Sequence, residues 1–252
     1  MAIGFNQARV VLSIGFSFVY TLPRRSLVFI AMPIVNPSID AVIPDGICDH
    51  DSYRRWAKSD EFPQRGRFAF FNDAVWMDTD MEHAYSHNFV KAAISSVLNL
   101  IVVNEDLGSF FVDGMLMSNL EIGLSTEPDG AFVSHERFER GLVRGIGGQG
   151  DDYIELVGAP DMVLEVVSRY SAKKDKRDLK ELYWQAGIPE YWLVDARSDV
   201  LKFDIFRHGA TAYEPTTPDA DGYFRSEVFN RSFRLVRGVN RAGEPKFTLE
   251  AR

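Results

Sequence analysis

An apolar run with one acid at its centre, Pro160-Asp161-Met162-Val163-Leu164-Glu165-Val166-Val167-Ser168, reads as a buried strand. Alternation puts Asp161, Val163, Glu165 and Val167 on one face and Met162, Leu164, Val166 and Ser168 on the other. Over 175–186 the period lengthens: Leu179, Leu182, Tyr183 and Ala186 share one face of a predicted helix, while Lys180, Arg177 and Glu181 point elsewhere. Gly187 and Pro189 stop that helix. Tyr191-Trp192-Leu193-Val194 follows as another buried strand, and 201–206, 229–235 and 247–249 predict strands that extend or cover the sheet.

Upstream, Tyr53-Arg54-Arg55-Trp56 suggests a short helix, and 67–71 with 74–77 reads as two strands joined through the turn residues Asn72-Asp73. Between 82 and 100, Phe89, Ala93, Ser96, Val97 and Leu100 recur at helical spacing and predict one apolar face. Strands are expected at 109–112 and 115–118, with Asp113-Gly114 turning between them. In Thr126-Glu127-Pro128-Asp129-Gly130-Ala131-Phe132-Val133 an acid stands at the mouth of a short apolar strand, and the Gly-rich 145–150 reads as a mobile loop.

Residues 1–31 differ from the rest, with apolar runs at 10–22 and 27–35 broken by Pro23-Arg24-Arg25. Neither reaches the ~20 residues of a membrane-spanning helix. Met32 opens a segment that flows into the body of the chain, so 1–31 is read as a weakly informative, poorly ordered N-terminal extension from an over-extended start, and 32–252 as one domain. No membrane association is expected.

The chain has 252 residues, 46% of them hydrophobic and 25% charged, which is the make-up of a globular protein able to bury a sizeable core. A single cysteine, Cys48, excludes an internal disulfide framework and a multi-cysteine zinc site, and with it the expectation is a reducing, cytoplasmic setting. A net charge of -8 disfavours general nucleic-acid binding, which depends on Lys and Arg neutralising phosphates. A local basic segment exists at 169–180, where Arg169, Lys173, Lys174, Lys176, Arg177 and Lys180 outnumber Asp175 and Asp178; it reads equally as a solvated helix start.

Glu165 is the residue that calls for chemistry, because an ionised carboxylate inside an apolar strand is costly unless a metal, a cation or hydrogen bonds compensate it. With a second carboxylate from a neighbouring strand it makes a magnesium platform, since magnesium takes one or two carboxylates and leaves other positions to water and substrate phosphate. Asp129 is the best partner. Asp161 lies roughly 13 Å from Glu165 along the same strand at ~3.3 Å per residue, too far for one ion, and is assigned to strand-start hydrogen bonding. Glu82, in the first turn of its helix, has a dipole-stabilising role open to it whatever else it does. Tyr183, Trp184, Tyr191 and Trp192 are read as core packing rather than a base-stacking platform.

Glu127-Pro128-Asp129, Leu164-Glu165-Val166-Val167-Ser168, the Asp-containing basic helix, Tyr183 and Ala186-Gly187-Ile188-Pro189-Glu190-Tyr191-Trp192-Leu193-Val194-Asp195 together resemble the Uma-two family of restriction-endonuclease-like proteins, within the PD-(D/E)XK nuclease superfamily. The likeness runs from about Tyr53 to at least Phe206. It implies an α/β restriction-endonuclease-like core, a central mixed β-sheet flanked by α-helices with extra β-strands, and metal-dependent phosphodiester hydrolysis. Asp129 would match the acid of the PD element and Glu165 the first acid of (D/E)XK, with Glu82 as a further metal acid; His87 matches a histidine common in the family's first helix, for core, capping or catalytic duty. Val167 stands at the lysine position and Leu179 where many relatives carry a lysine, which leaves Lys174 and Lys180 as the favoured substitutes. Ala69 and Ala74 replace acids common in the family's first hairpin.

The expected activity is a Mg2+- or Mn2+-dependent DNA endonuclease. The alternative is a weak or inactive nuclease fold used for nucleic-acid binding or assembly, and a third reading is a structural domain in which an internal Arg or Lys neutralises Glu165. A homodimer is an expectation drawn from duplex cleavage often using two sites.

Overall fold

The computed structural model describes residues 9–14, 16–19, 34–36, 41–78, 83–147, 152–168, 171–172 and 174–252. Its centre is a six-stranded mixed sheet ordered Tyr213–Pro215, Lys202–His208, Glu190–Asp195, Met162–Val166, Gly130–Ser134, Gly108–Val112. Met162–Val166 runs parallel to Glu190–Asp195 and antiparallel to Gly130–Ser134, the only parallel step in this sheet. A connection through a helix makes that step, as parallel neighbours require. The helix spans Lys180–Gln185 behind a π-helical turn, Lys174–Leu179, and ends at Gly187, whose φ of +74° suits glycine.

The strand alternation is borne out. Met162, Leu164 and Val166 join Trp192 and Val194 in one core, while Val163, Val167, Tyr191 and Leu193 join Leu179, Leu182 and Tyr183 in another on the opposite face. The first core is closed by the helix Phe89–Asn104 and by a three-stranded sheet of Phe224–Ser226, Arg231–Val239 and Pro245–Ala251. Glu190 ties that covering sheet to the central one: its carboxylate accepts from Trp192 Nε1, Ser226 Oγ and the backbone N–H groups of Glu227 and Val228.

The second core is shared with an eight-stranded sheet containing the hairpin Arg67–Phe71 and Ala74–Asp78, whose turn residues Asn72 and Asp73 have φ of 52° and 55°. Such left-handed pairs match the twist of a two-residue hairpin. Helix His50–Ala57, capped by Asp49, covers the sheet's far side through Tyr53 and Trp56. Within the 1–31 segment, Arg9–Ile14 pairs parallel with Ala74–Asp78 and antiparallel with Phe16–Val19, which forms the edge of the eight-stranded sheet.

Two expectations are corrected. The apolar face expected at Phe89, Ala93, Ser96, Val97 and Leu100 is turned: Val90, Ile94, Leu98 and Val102 are buried, while Phe89, Ser96 and Leu100 are exposed. This helix is apolar nearly all round, so periodicity alone selects its inner face weakly. Ala84–Asn104 is long and apolar enough to pass for a membrane span, yet that inner face closes the core. The strands expected on either side of Asp113-Gly114 are present, Gly108–Val112 in the six-stranded sheet and Leu116–Asn119 in the eight-stranded one. Second, Gly145 lies in a strand, Val143–Ile146, paired with Glu155–Gly158, rather than in a loop, while 148–150 lie outside the described residues.

Candidate active site

Gly130 pairs with Leu164, so the strand mouth at Asp129 lies beside Glu165 on the neighbouring strand. Both are only 1% exposed. Asp129 Oδ2 accepts the Val166 N–H at 2.7 Å, and Oδ1 accepts from Arg67 Nη1 at 2.8 Å. His87 Nε2 is 3.5 Å from Oδ2 and Lys91 Nζ 3.7 Å from Oδ1. Burial opposes ionisation of Asp129, but the charges of Arg67, His87 and Lys91 with the Val166 N–H hold its pKa below the ordinary carboxylate value.

Glu165 experiences the opposite balance. Burial pushes its pKa up to about 8; Lys174 and the Tyr183 hydroxyl, which donates to Oε1 at 2.6 Å, oppose that rise, while Asp175 and Asp129 add to it. Two buried acids on adjacent strands are thereby driven apart, Asp129 towards the charged form and Glu165 towards the neutral one.

Lys174 enters from the π-helical turn. Its ammonium sits 4.3 Å from the centre of the Trp76 ring and 3.4 Å from Asp175 Oδ1. Burial disfavours its charge, yet Asp175 and Glu165 outweigh that cost and raise its pKa. Asp175 is itself buried, with Ser171 Oγ donating to Oδ2, and burial raises its pKa against the charge of Lys174. Half-buried Glu127 is pushed up to about 7 by burial and by the charge of Asp113, against Arg67 and Lys174.

Of the residues expected from sequence, Asp129, Glu165 and Lys174 are therefore brought together. Lys180 is directed elsewhere, its ammonium 3.5 Å from the centre of the Phe206 ring and within the field of Asp204. Glu82 lies outside the described residues. Asp161 does strand-start work, accepting from Ser134 N at 2.7 Å and from Arg137 Nε at 2.9 Å. Tyr183 and Tyr191 are core residues, as expected, but Tyr183 also orients Glu165, and Tyr191 donates to the Asp175 carbonyl.

Arg67, Lys91 and Asp175 join the cluster without having been singled out. A strand-end arginine and a helix lysine look like solvated charges; the available signal was that Lys91 interrupts an otherwise apolar helix. Among the described residues no three His, Cys, Asp or Glu side chains gather as a metal cage. Asp129 and Glu165 nonetheless offer the two carboxylates that suffice for magnesium when water and a phosphate complete the shell. The donor set fits a hard divalent ion.

The model of the Uma2 family, described as "Putative restriction endonuclease", matches residues 50–235. The chain belongs to that family. A crystal structure of a protein described as a putative nuclease belonging to DUF820, from Anabaena variabilis ATCC 29413, superimposes with a TM-score of 0.52 at 16% identity, covering 72% of this chain and 90% of that one. The shared fold is the restriction-endonuclease-like one expected for the Uma2 chain. No curated protein is significantly similar in sequence.

Proposed function

We propose that this Uma2 protein is a divalent-metal-dependent endonuclease that hydrolyses phosphodiester bonds of DNA. The observation that carries this reading is the placement of Asp129 and Glu165 side by side on antiparallel strands, with the buried Lys174 ammonium in their field. Asp129 and Glu165 would hold Mg2+ or Mn2+, and the ion would supply Lewis-acid activation and charge neutralisation at the phosphate.

The chain's own groups have separable duties. The Val166 N–H and Arg67 fix Asp129 in the ionised form. Tyr183 fixes the orientation of Glu165, which must give up its proton to bind a cation. Lys174, kept charged by Asp175 and Glu165, would offset charge building on the phosphorus oxygens.

One observation favours the inactive-module reading: both Asp129 oxygens already have close donors, and Glu165 with a pKa of about 8 is mostly neutral at pH 7 without metal. Plasmid nicking separates the two. Nicking by the wild type with Mn2+, lost in Asp129→Ala and Glu165→Ala, supports the nuclease. Nicking that survives both substitutions, or is absent from folded wild type, overturns it.

A further inference from the structure

A half-exposed carboxylate that the proposed chemistry does not use stands beside two cations of the cluster. Asp113, on the turn where the chain leaves one sheet for the other, has a side chain 46% exposed. Its Oδ2 is 2.7 Å from Lys91 Nζ and its Oδ1 3.5 Å from Arg67 Nη2. Those two cations also flank Asp129, the buried acid of the site. Arg67 is 23% exposed at its side chain, whereas Asp129 and Glu165 are sealed beneath.

We infer that Arg67 and Lys91 form the phosphodiester-binding pair of the site and that Asp113 is its built-in competitor, occupying that pair until a substrate phosphate displaces it. A phosphodiester carries one negative charge over two non-bridging oxygens, as a carboxylate does, and Asp113 presents one oxygen to each cation. Arginine and lysine are the side chains suited to hold such an anion. The half-exposed position of Asp113 makes its hold weak and its release easy, because a partly solvated ion pair gains little and restricts two side chains. Asp113 and the adjoining Gly114, whose φ is +87°, form a bend just past the end of the strand Gly108–Val112.

This inference deepens the nuclease reading and rests on it for the choice of ligand, but binding can be read without cleavage. The probe is a fluorescently labelled DNA duplex titrated in EDTA at fixed low salt. Asp113→Asn is expected to bind about tenfold more tightly than wild type, since the competitor's charge is gone while the turn is kept. Lys91→Gln introduced into Asp113→Asn should abolish the gain, and so should Arg67→Gln. Asp106→Asn removes the same charge from an exposed residue with φ of 52°, a conformation asparagine tolerates, and should leave affinity unchanged.

Equal affinity of Asp113→Asn and wild type would overturn the inference. So would a gain that Asp106→Asn reproduces, which would make it a net-charge effect, or one that persists when Lys91 and Arg67 are each replaced. Loss of nicking with this binding pattern intact would count against the nuclease reading alone.

Discussion

The Tyr183 hydroxyl donates a 2.6 Å hydrogen bond to Glu165 Oε1, joining the helix after the π-helical turn to the central strand it packs against. Core packing and site geometry are thus carried by one side chain. Tyr183→Phe keeps the ring and removes the donor, so it should cost about 1–2 kcal/mol of stability in urea denaturation. It should also raise the Glu165 pKa further and weaken Mn2+ binding several-fold. Unchanged stability and unchanged metal affinity would show the bond to be incidental.

The metal-free protein should lose stability as pH rises from about 4.5 to about 8. Glu165 is an acid whose folded-state pKa, about 8, lies above the unfolded value of 4.5, so between those values the unfolded chain is ionised while the folded one keeps its proton. Below 4.5 both states are protonated and the group makes no difference; above 8 both are ionised and the loss is complete. Glu127, at about 7, adds a parallel loss over a shorter range. Glu165→Gln should flatten the decline measured by denaturant midpoints across this range, and an equally steep decline in that variant would contradict the assignment.

Asp161 shares the strand with Glu165 but is bound to Ser134 N and Arg137 Nε. Asp161→Ala should therefore destabilise the fold by about 1–3 kcal/mol, by leaving those donors without their acceptor. Metal affinity measured on the folded variant should stay within twofold of wild type. A collapse of metal affinity at unchanged stability would place Asp161 in the metal site.

Lys174 and Lys180 were equivalent on paper and are separated by the fold. Lys174→Gln should lower the nicking rate at saturating Mn2+ at least tenfold, whereas Lys180→Gln, whose ammonium lies over Phe206, should change it by less than about twofold. The reverse ranking would move the catalytic cation to the first residue of the helix Lys180–Gln185.

Glu165 was legible because an acid in an apolar strand has few inexpensive explanations, and Asp129 because its strand is the nearest one upstream with an acid at its mouth. The choice between the lysines was not legible: a π-helical turn carries more residues per turn than an α-helix, so phase counted at 3.6 residues misplaces side chains across it. Arg67 and Lys91 escaped for a different reason. They reach the site from the ends of a strand in another sheet and of a helix on the opposite face, a juxtaposition set by tertiary packing that no local pattern encodes. The inner face of that helix was missed because Val90, Ile94, Leu98 and Val102 compete with an equally apolar alternative in Phe89, Val97 and Leu100.

Calorimetric titration of Mn2+ into the full chain near pH 8, wild type beside Glu165→Gln, tests the shared metal site most directly. The arrangement of Asp129 and Glu165 predicts one ion bound by wild type, with proton release as the Glu165 carboxyl ionises, and at least a tenfold loss of affinity in Glu165→Gln. Equal binding by both proteins, or no binding by folded wild type, would contradict it.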